Sequence, residues 1–183
     1  MKDYVFSFAN LSYDNTVVRS TDFEAAIPSE LGKAVATDKR SSTLYTGDDG
    51  IGVWTDVAEV EGPGGIKGFR STNKHRGSGT EQLADPKWQA PEGTDLGFDF
   101  YCTQPVTLTF VAGNHYEGTI EITASDDWQE MIVDRKSLLN RFSKKPLSGW
   151  DKVGRIKFLP KDGSDITKVI FSEFRWVKLP DSK

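Results

Sequence analysis

The stretch from Thr119 to Phe142, TIEITASDDWQEMIVDRKSLLNRF, holds in order an alternating strand, a two-aspartate turn, one tryptophan, a second apolar run and a leucine pair. Ile120 and Ile122 fall on one face of an extended segment, because successive side chains of a strand point to opposite faces. No catalytic constellation accompanies them, so the stretch reads as part of an antiparallel β-sandwich rather than as a reaction centre. Only DRKSLLNRF can turn into a brief helix, with Asp134 capping its first turn. A loop that tucks Leu138 and Leu139 into the core explains the same residues.

The same alternation recurs outward along the chain. Tyr4, Phe6 and Phe8 share one face of a segment, as do Leu108 with Phe110 and Ile156 with Phe158. In the last third, LGFDFYC, VTLTFVAG, GTIEITA, WQEMIVD, VGRIKFLP and TKVIFSEFRWVKL are separated by short polar or glycine-containing turns. That spacing predicts an all-β antiparallel sandwich. STLYTGDDGIGVWTDV predicts a hairpin around Gly-Asp-Asp-Gly. From 61 to 97, glycine, proline and charge interrupt any long element, which predicts extended loops with one short strand. The 183 residues fit a single domain spanning 1–183.

Composition narrows the partners. With 37% hydrophobic and 27% charged residues, 5 Trp and 11 Phe, the chain has the means to build a sizeable core. A formal net charge of -4 provides no cationic field for nucleic acid or for an anionic membrane. No apolar stretch is long enough to span a bilayer. The single cysteine, Cys102, excludes an intramolecular disulfide and reads as a core thiol. The opening MKDYVFSFANLSYD lacks the continuous apolar run of a secretory signal and reads as a first strand.

The order of a strand, Trp128, MIV, SLLN, Trp150, KVGRIKF and VIFSEFRWV resembles the C-terminal half of galactose-binding-like jelly-roll domains, particularly carbohydrate-binding modules of families 11 and 30. The resemblance covers roughly Leu96 to Val177. It implies a non-catalytic, monomeric module that holds a polysaccharide, a β-glucan or related polymer, and keeps a linked catalytic domain near that substrate. It also implies a secreted or cell-surface bacterial setting, with the signal peptide outside this chain, and often a structural Ca2+ ion between first and last strands. Candidate ligands for that ion are Asp22 and Glu24 of TDFEA and Glu173 of FSEFRW, although the relatives usually carry an aspartate where Ser172 and Glu173 stand here.

Period-two geometry supplies a binding face. If Phe98 and Phe100 point inward, Asp99 and Tyr101 point outward; if Ile156 and Phe158 point inward, Arg155 and Lys157 point outward. A sugar ring presents an apolar C–H face rimmed by hydroxyls, so it calls for a flat aromatic platform flanked by groups that form paired hydrogen bonds. Tyr101, Asp99 and Arg155 have those chemistries, against the ordinary alternative of a solvated sheet surface. Trp54, after the predicted hairpin turn, and Trp88, in DPKWQAP, either pin loops to the core or stand exposed as platforms. Tyr116, at a turn, is a further contact candidate, whereas Trp128 and Trp176 read as core and Trp150 as a loop anchor. Arg70, Lys74, His75 and Arg76 form a cationic stretch, ordinarily a solvated loop but able to receive an acidic sugar.

The enzyme alternative is a jelly-roll lyase or hydrolase acting on acidic polysaccharide, since FRST resembles an arginine-bearing strand of such lyases. A lyase needs a base. Only His75 and His115 are available, without the accompanying lyase motifs. No P-loop, G-x-S-x-G or H-E-x-x-H occurs. An adhesion or scaffold domain with a protein partner is the third reading.

Overall fold

The computed structural model describes residues 43–45, 51–85 and 88–178, all within a compact unit that runs from Arg40 to Lys183. The predicted strand at Tyr4, Phe6 and Phe8, and the candidate ligands Asp22 and Glu24, lie outside the described residues.

The described residues form an all-β sandwich of two antiparallel sheets. In chain order the strands are β1 (Thr43–Tyr45), β2 (Trp54–Thr55), β3 (Val57–Glu61), β4 (Lys67–Ser71), β5 (Ser78–Thr80), β6 (Asp95–Tyr101), β7 (Val106–Ala112), β8 (Tyr116–Ile122), β9 (Gln129–Val133), β10 (Leu139–Asn140), β11 (Ile156–Pro160) and β12 (Ile170–Val177). The front sheet runs β3-β4-β12-β6-β9, with β1 also on β12; the back sheet runs β10-β8-β7-β11-β5-β2.

Alternation decides which residues meet between the sheets. Phe98 and Phe100 of β6 are buried, as are Leu108 and Phe110 of β7, Ile120 and Ile122 of β8, and Ile156 and Phe158 of β11. Their rings interlock across the sandwich: Phe98 meets Phe158 edge-on at 5.4 Å and stacks on Phe174 at 5.1 Å. Offset and edge-on pairs such as these add about 0.5–1.5 kcal/mol each beyond the area they bury. Cys102 is fully buried beside this cluster. Burial raises its pKa above the ordinary thiol value, and its Sγ–H donates to the Gln104 carbonyl.

Two local expectations change. The predicted hairpin does not form, because β1 pairs with β12 in the front sheet and β2 with β5 in the back sheet. The two runs flank a crossing between layers. The 61–97 region, expected as loops with one short strand, contains β4 and β5 and ends in β6. Glycine is used there to bring backbones together: a Cβ on Gly77, which has φ +70, would lie 1.8 Å from the Phe158 carbonyl oxygen. DRKSLLNRF makes a single 3-10 turn, Arg135–Ser137, and Asp134 caps it by accepting from the Lys136 N–H at 2.8 Å. Leu138 is buried, but Leu139 is 42% exposed.

Candidate functional site

The outer face of the front sheet carries a row of unlike side chains. Ile170 of β12 pairs with Tyr101 of β6, and Arg70 stands on its other side, one step beyond the Phe171–Phe69 pair. Trp128 stands next to Tyr101, one step beyond the Phe100–Gln129 pair, with ring centroids 6.0 Å apart. The row therefore reads Arg70, Ile170, Tyr101, Trp128, at roughly 4.8 Å per strand. Arg70 is exposed, and both aromatic residues are half-buried. The indole is held in place. Its Nε1–H donates to the Pro63 carbonyl at 3.1 Å, and Gly62 lies so close that a Cβ there would come 2.5 Å from the ring.

One row along the same face lies an ion cluster. Asp99 pairs with Ser172 on one side and Glu130 on the other. Arg175 Nη2 donates to Asp99 Oδ1 at 2.9 Å and also to Glu130 Oε1, while its Nη1 donates to the Glu173 carbonyl at 2.6 Å. The Arg175 side chain is only 8% exposed. Burial alone pulls its pKa down, but the hydrogen bonds and charges of Glu130 and Asp99 outweigh that and raise it, so the guanidinium stays charged. Arginine thereby fixes both carboxylates while each keeps a second oxygen directed elsewhere.

The structure brings together only part of the expected face. Arg70, Asp99 and Tyr101 share the front sheet. Lys157 points from the back sheet's outer surface, and Arg155, just before β11, lies at one end of the sandwich near Gly113. Asp99 and Tyr101 therefore form no common groove with Arg155 and Lys157, because β6 and β11 belong to opposite layers. Tyr116 opens β8 and packs partly against the core at the Arg155 end.

The tryptophans also redistribute. Trp54 is buried between Phe69 and Phe174, at 4.4 and 4.6 Å, and serves the core. Trp88 is half-buried against the core, and its carbonyl accepts from Trp176 Nε1 at 3.1 Å. Trp150 and Trp176 are buried, as expected of an anchor and a core residue. Trp128, expected in the core, belongs to the outer row. A signal existed: counting back by twos from buried Val133 through Met131 puts Trp128, Glu130 and Ile132 on the opposite side.

Arg175 was concealed by a bulge. At Glu173 the backbone turns to φ 52 and the β12–β6 register shifts between Ser172 and Arg175. Phe171 and Phe174 consequently both point inward, and Arg175 points outward. Glu173 is the one proposed calcium ligand among the described residues. Its carbonyl is occupied by Arg175, and no group of three His, Cys, Asp or Glu side chains among the described residues could hold a metal ion.

No protein-family model and no curated protein matches the chain. Solved structures do. The family 11 carbohydrate-binding module of the cellulosomal cellulase Lic26A-Cel5E of Clostridium thermocellum superimposes with a TM-score of 0.50 at 13% identity, covering 76% of this chain and 95% of that one. The solution structure of CtCBM11 gives 0.50 at 11% identity, covering 79% and 99%. The fold is a β-sandwich jelly roll, similar to that of these family 11 carbohydrate-binding modules. This jelly roll is what the strand order from Leu96 to Val177 implied, and the agreement extends over nearly the whole length of the two solved modules and about three quarters of this chain.

Proposed function

We propose that this chain binds polysaccharide on the outer face of its front sheet, without altering it. The observation that carries this reading is the Arg70, Ile170, Tyr101, Trp128 row beside the Asp99–Arg175–Glu130 cluster. Pyranose C–H faces would rest on Tyr101 and Trp128, while Arg70 donates to hydroxyls and the free carboxylate oxygens of Asp99 and Glu130 accept from them. A β-glucan is the first polymer to test, because the jelly-roll resemblance includes such binders. A monomeric module of this kind would keep a linked catalytic domain close to many equivalent bonds by raising effective concentration, in an extracellular setting. Calcium, implied by the resemblance, has its own test: a melting midpoint that rises with calcium and falls with EGTA supports it, and an unchanged midpoint removes it.

Affinity electrophoresis through gels of glucan, xylan, mannan, alginate and pectin tests the main reading, paired with an absorbance assay for unsaturated uronate ends. Retardation by a neutral polymer without new ends is expected. New ends that vanish in Arg70→Ala would instead establish the lyase, and passage unretarded through every polymer would favour a protein partner.

A further inference from the structure

A second region, sharing no residue with the front-sheet row, has its own binding geometry. At one end of the sandwich the β7–β8 turn, the loop leading into β11 and the turn at 81–84 enclose a cleft of about 570 Å³. This lies within the range of roughly 300–1,000 Å³ usual for small-ligand sites. Arg155 ties its walls together: Nε donates to the Gly113 carbonyl at 3.3 Å, Nη1 lies 3.5 Å from Glu81 Oε1, and the Arg155 carbonyl accepts from the Gly113 N–H at 2.8 Å.

The lining charges balance. Glu81 and Asp151 oppose Lys152 and Arg155, so the cleft offers hydrogen-bonding groups of both signs without a net field for an ion. Tyr116 and His115 add ring surface. Beyond His115 stands Phe142, 80% exposed, its ring 5.6 Å from the imidazole and edge-on to it. The turn that presents this ring is well braced. Asn140 Oδ1 accepts from the Phe142 and Ser143 N–H groups, both at 3.0 Å, the Arg141 N–H donates to the His115 carbonyl at 2.7 Å, and Arg141 Nε pairs with Glu117 at 2.6 Å. A phenylalanine so fully exposed contributes little to the core, yet its turn is held in one conformation.

We propose that this end of the sandwich is a second carbohydrate site, taking a short, neutral oligosaccharide segment whose rings lie in the cleft and pass over His115 and Phe142. The proposal rests on the polysaccharide-binding reading for its ligand class. Mixed charge suits hydroxyls that both donate and accept, and the braced aromatic edge supplies an apolar surface for a pyranose.

The experiment follows two reporters in one NMR titration: the His115 ring for the cleft and the Trp128 indole N–H for the front sheet. The probes are a mixed-linkage β-1,3-1,4-glucan tetrasaccharide, xylotetraose and mannotetraose. Saturable displacement of the His115 signals is expected with at least one probe, persisting in Tyr101→Ala and weakening roughly threefold to tenfold in Phe142→Ala. Movement of Trp128 alone would overturn the second site and leave the front-sheet reading intact. Silence of both reporters with every probe would overturn both, and a His115 response unaffected by Phe142→Ala would overturn the site as drawn.

Discussion

Single residues carry most of what distinguishes a binding face from a solvated one. Tyr101 is half-buried and outward, so Tyr101→Ala is expected to abolish retardation on the responsive polymer while moving the melting midpoint little; loss of both would make Tyr101 structural. Arg175 is different, because removing it leaves Asp99 and Glu130 side by side without their shared cation. Arg175→Ala should cost about 1–3 kcal/mol in denaturant unfolding, less than a fully buried pair because Glu130 is half exposed. Asp165 gives a pH signature. The Thr167 hydroxyl above all, and then the Thr167 N–H, hold its carboxyl below the usual carboxylate range against a smaller desolvation effect. Its stabilisation is therefore complete above the unfolded value of about 3.9 and disappears as pH falls through the lowered folded value. Asp165→Ala should lower the melting midpoint at neutral pH, with the difference shrinking in acid.

Elements show what was legible and what was not. Period-two alternation identified β7, β8 and β11 and gave the inward face of β6, while apolar runs between short turns marked β9 and β12. It failed wherever register departed from two. The Glu173 bulge moved Arg175 outward, and β1 and β2 separated into different sheets although a turn-rich segment joins them. Partner choice between strands depends on long-range contacts that local pattern does not encode. The candidate face was partly visible for the same reason: alternation gives the side of a strand, not the layer to which that strand belongs. Two glycines test these elements. Gly77→Ala should destabilise by more than about 1 kcal/mol, since positive φ and the Phe158 carbonyl both oppose a side chain. Gly62→Ala should instead displace the Trp128 ring and reduce polymer retardation, with the sandwich still folded by circular dichroism.

At the scale of the molecule, the two layers of described residues are joined by a phenylalanine-rich core. Phe98 touches Phe100, Phe158, Phe171 and Phe174 at once, so Phe98→Ala is expected to cost about 3–5 kcal/mol, measured by chemical denaturation. The position of β12 has a kinetic meaning. It lies between β4 and β6 and also receives β1, and the Ser172 hydroxyl reaches the Lys67 carbonyl across 105 positions of chain. The front layer is thus like an arch whose keystone is cut last: during synthesis the earlier strands wait, edges unprotected, until residues near 170 clear the ribosome. Such closure over long loops belongs to the slow regime of milliseconds to seconds, and until then the nascent chain depends on whatever shields it from its neighbours.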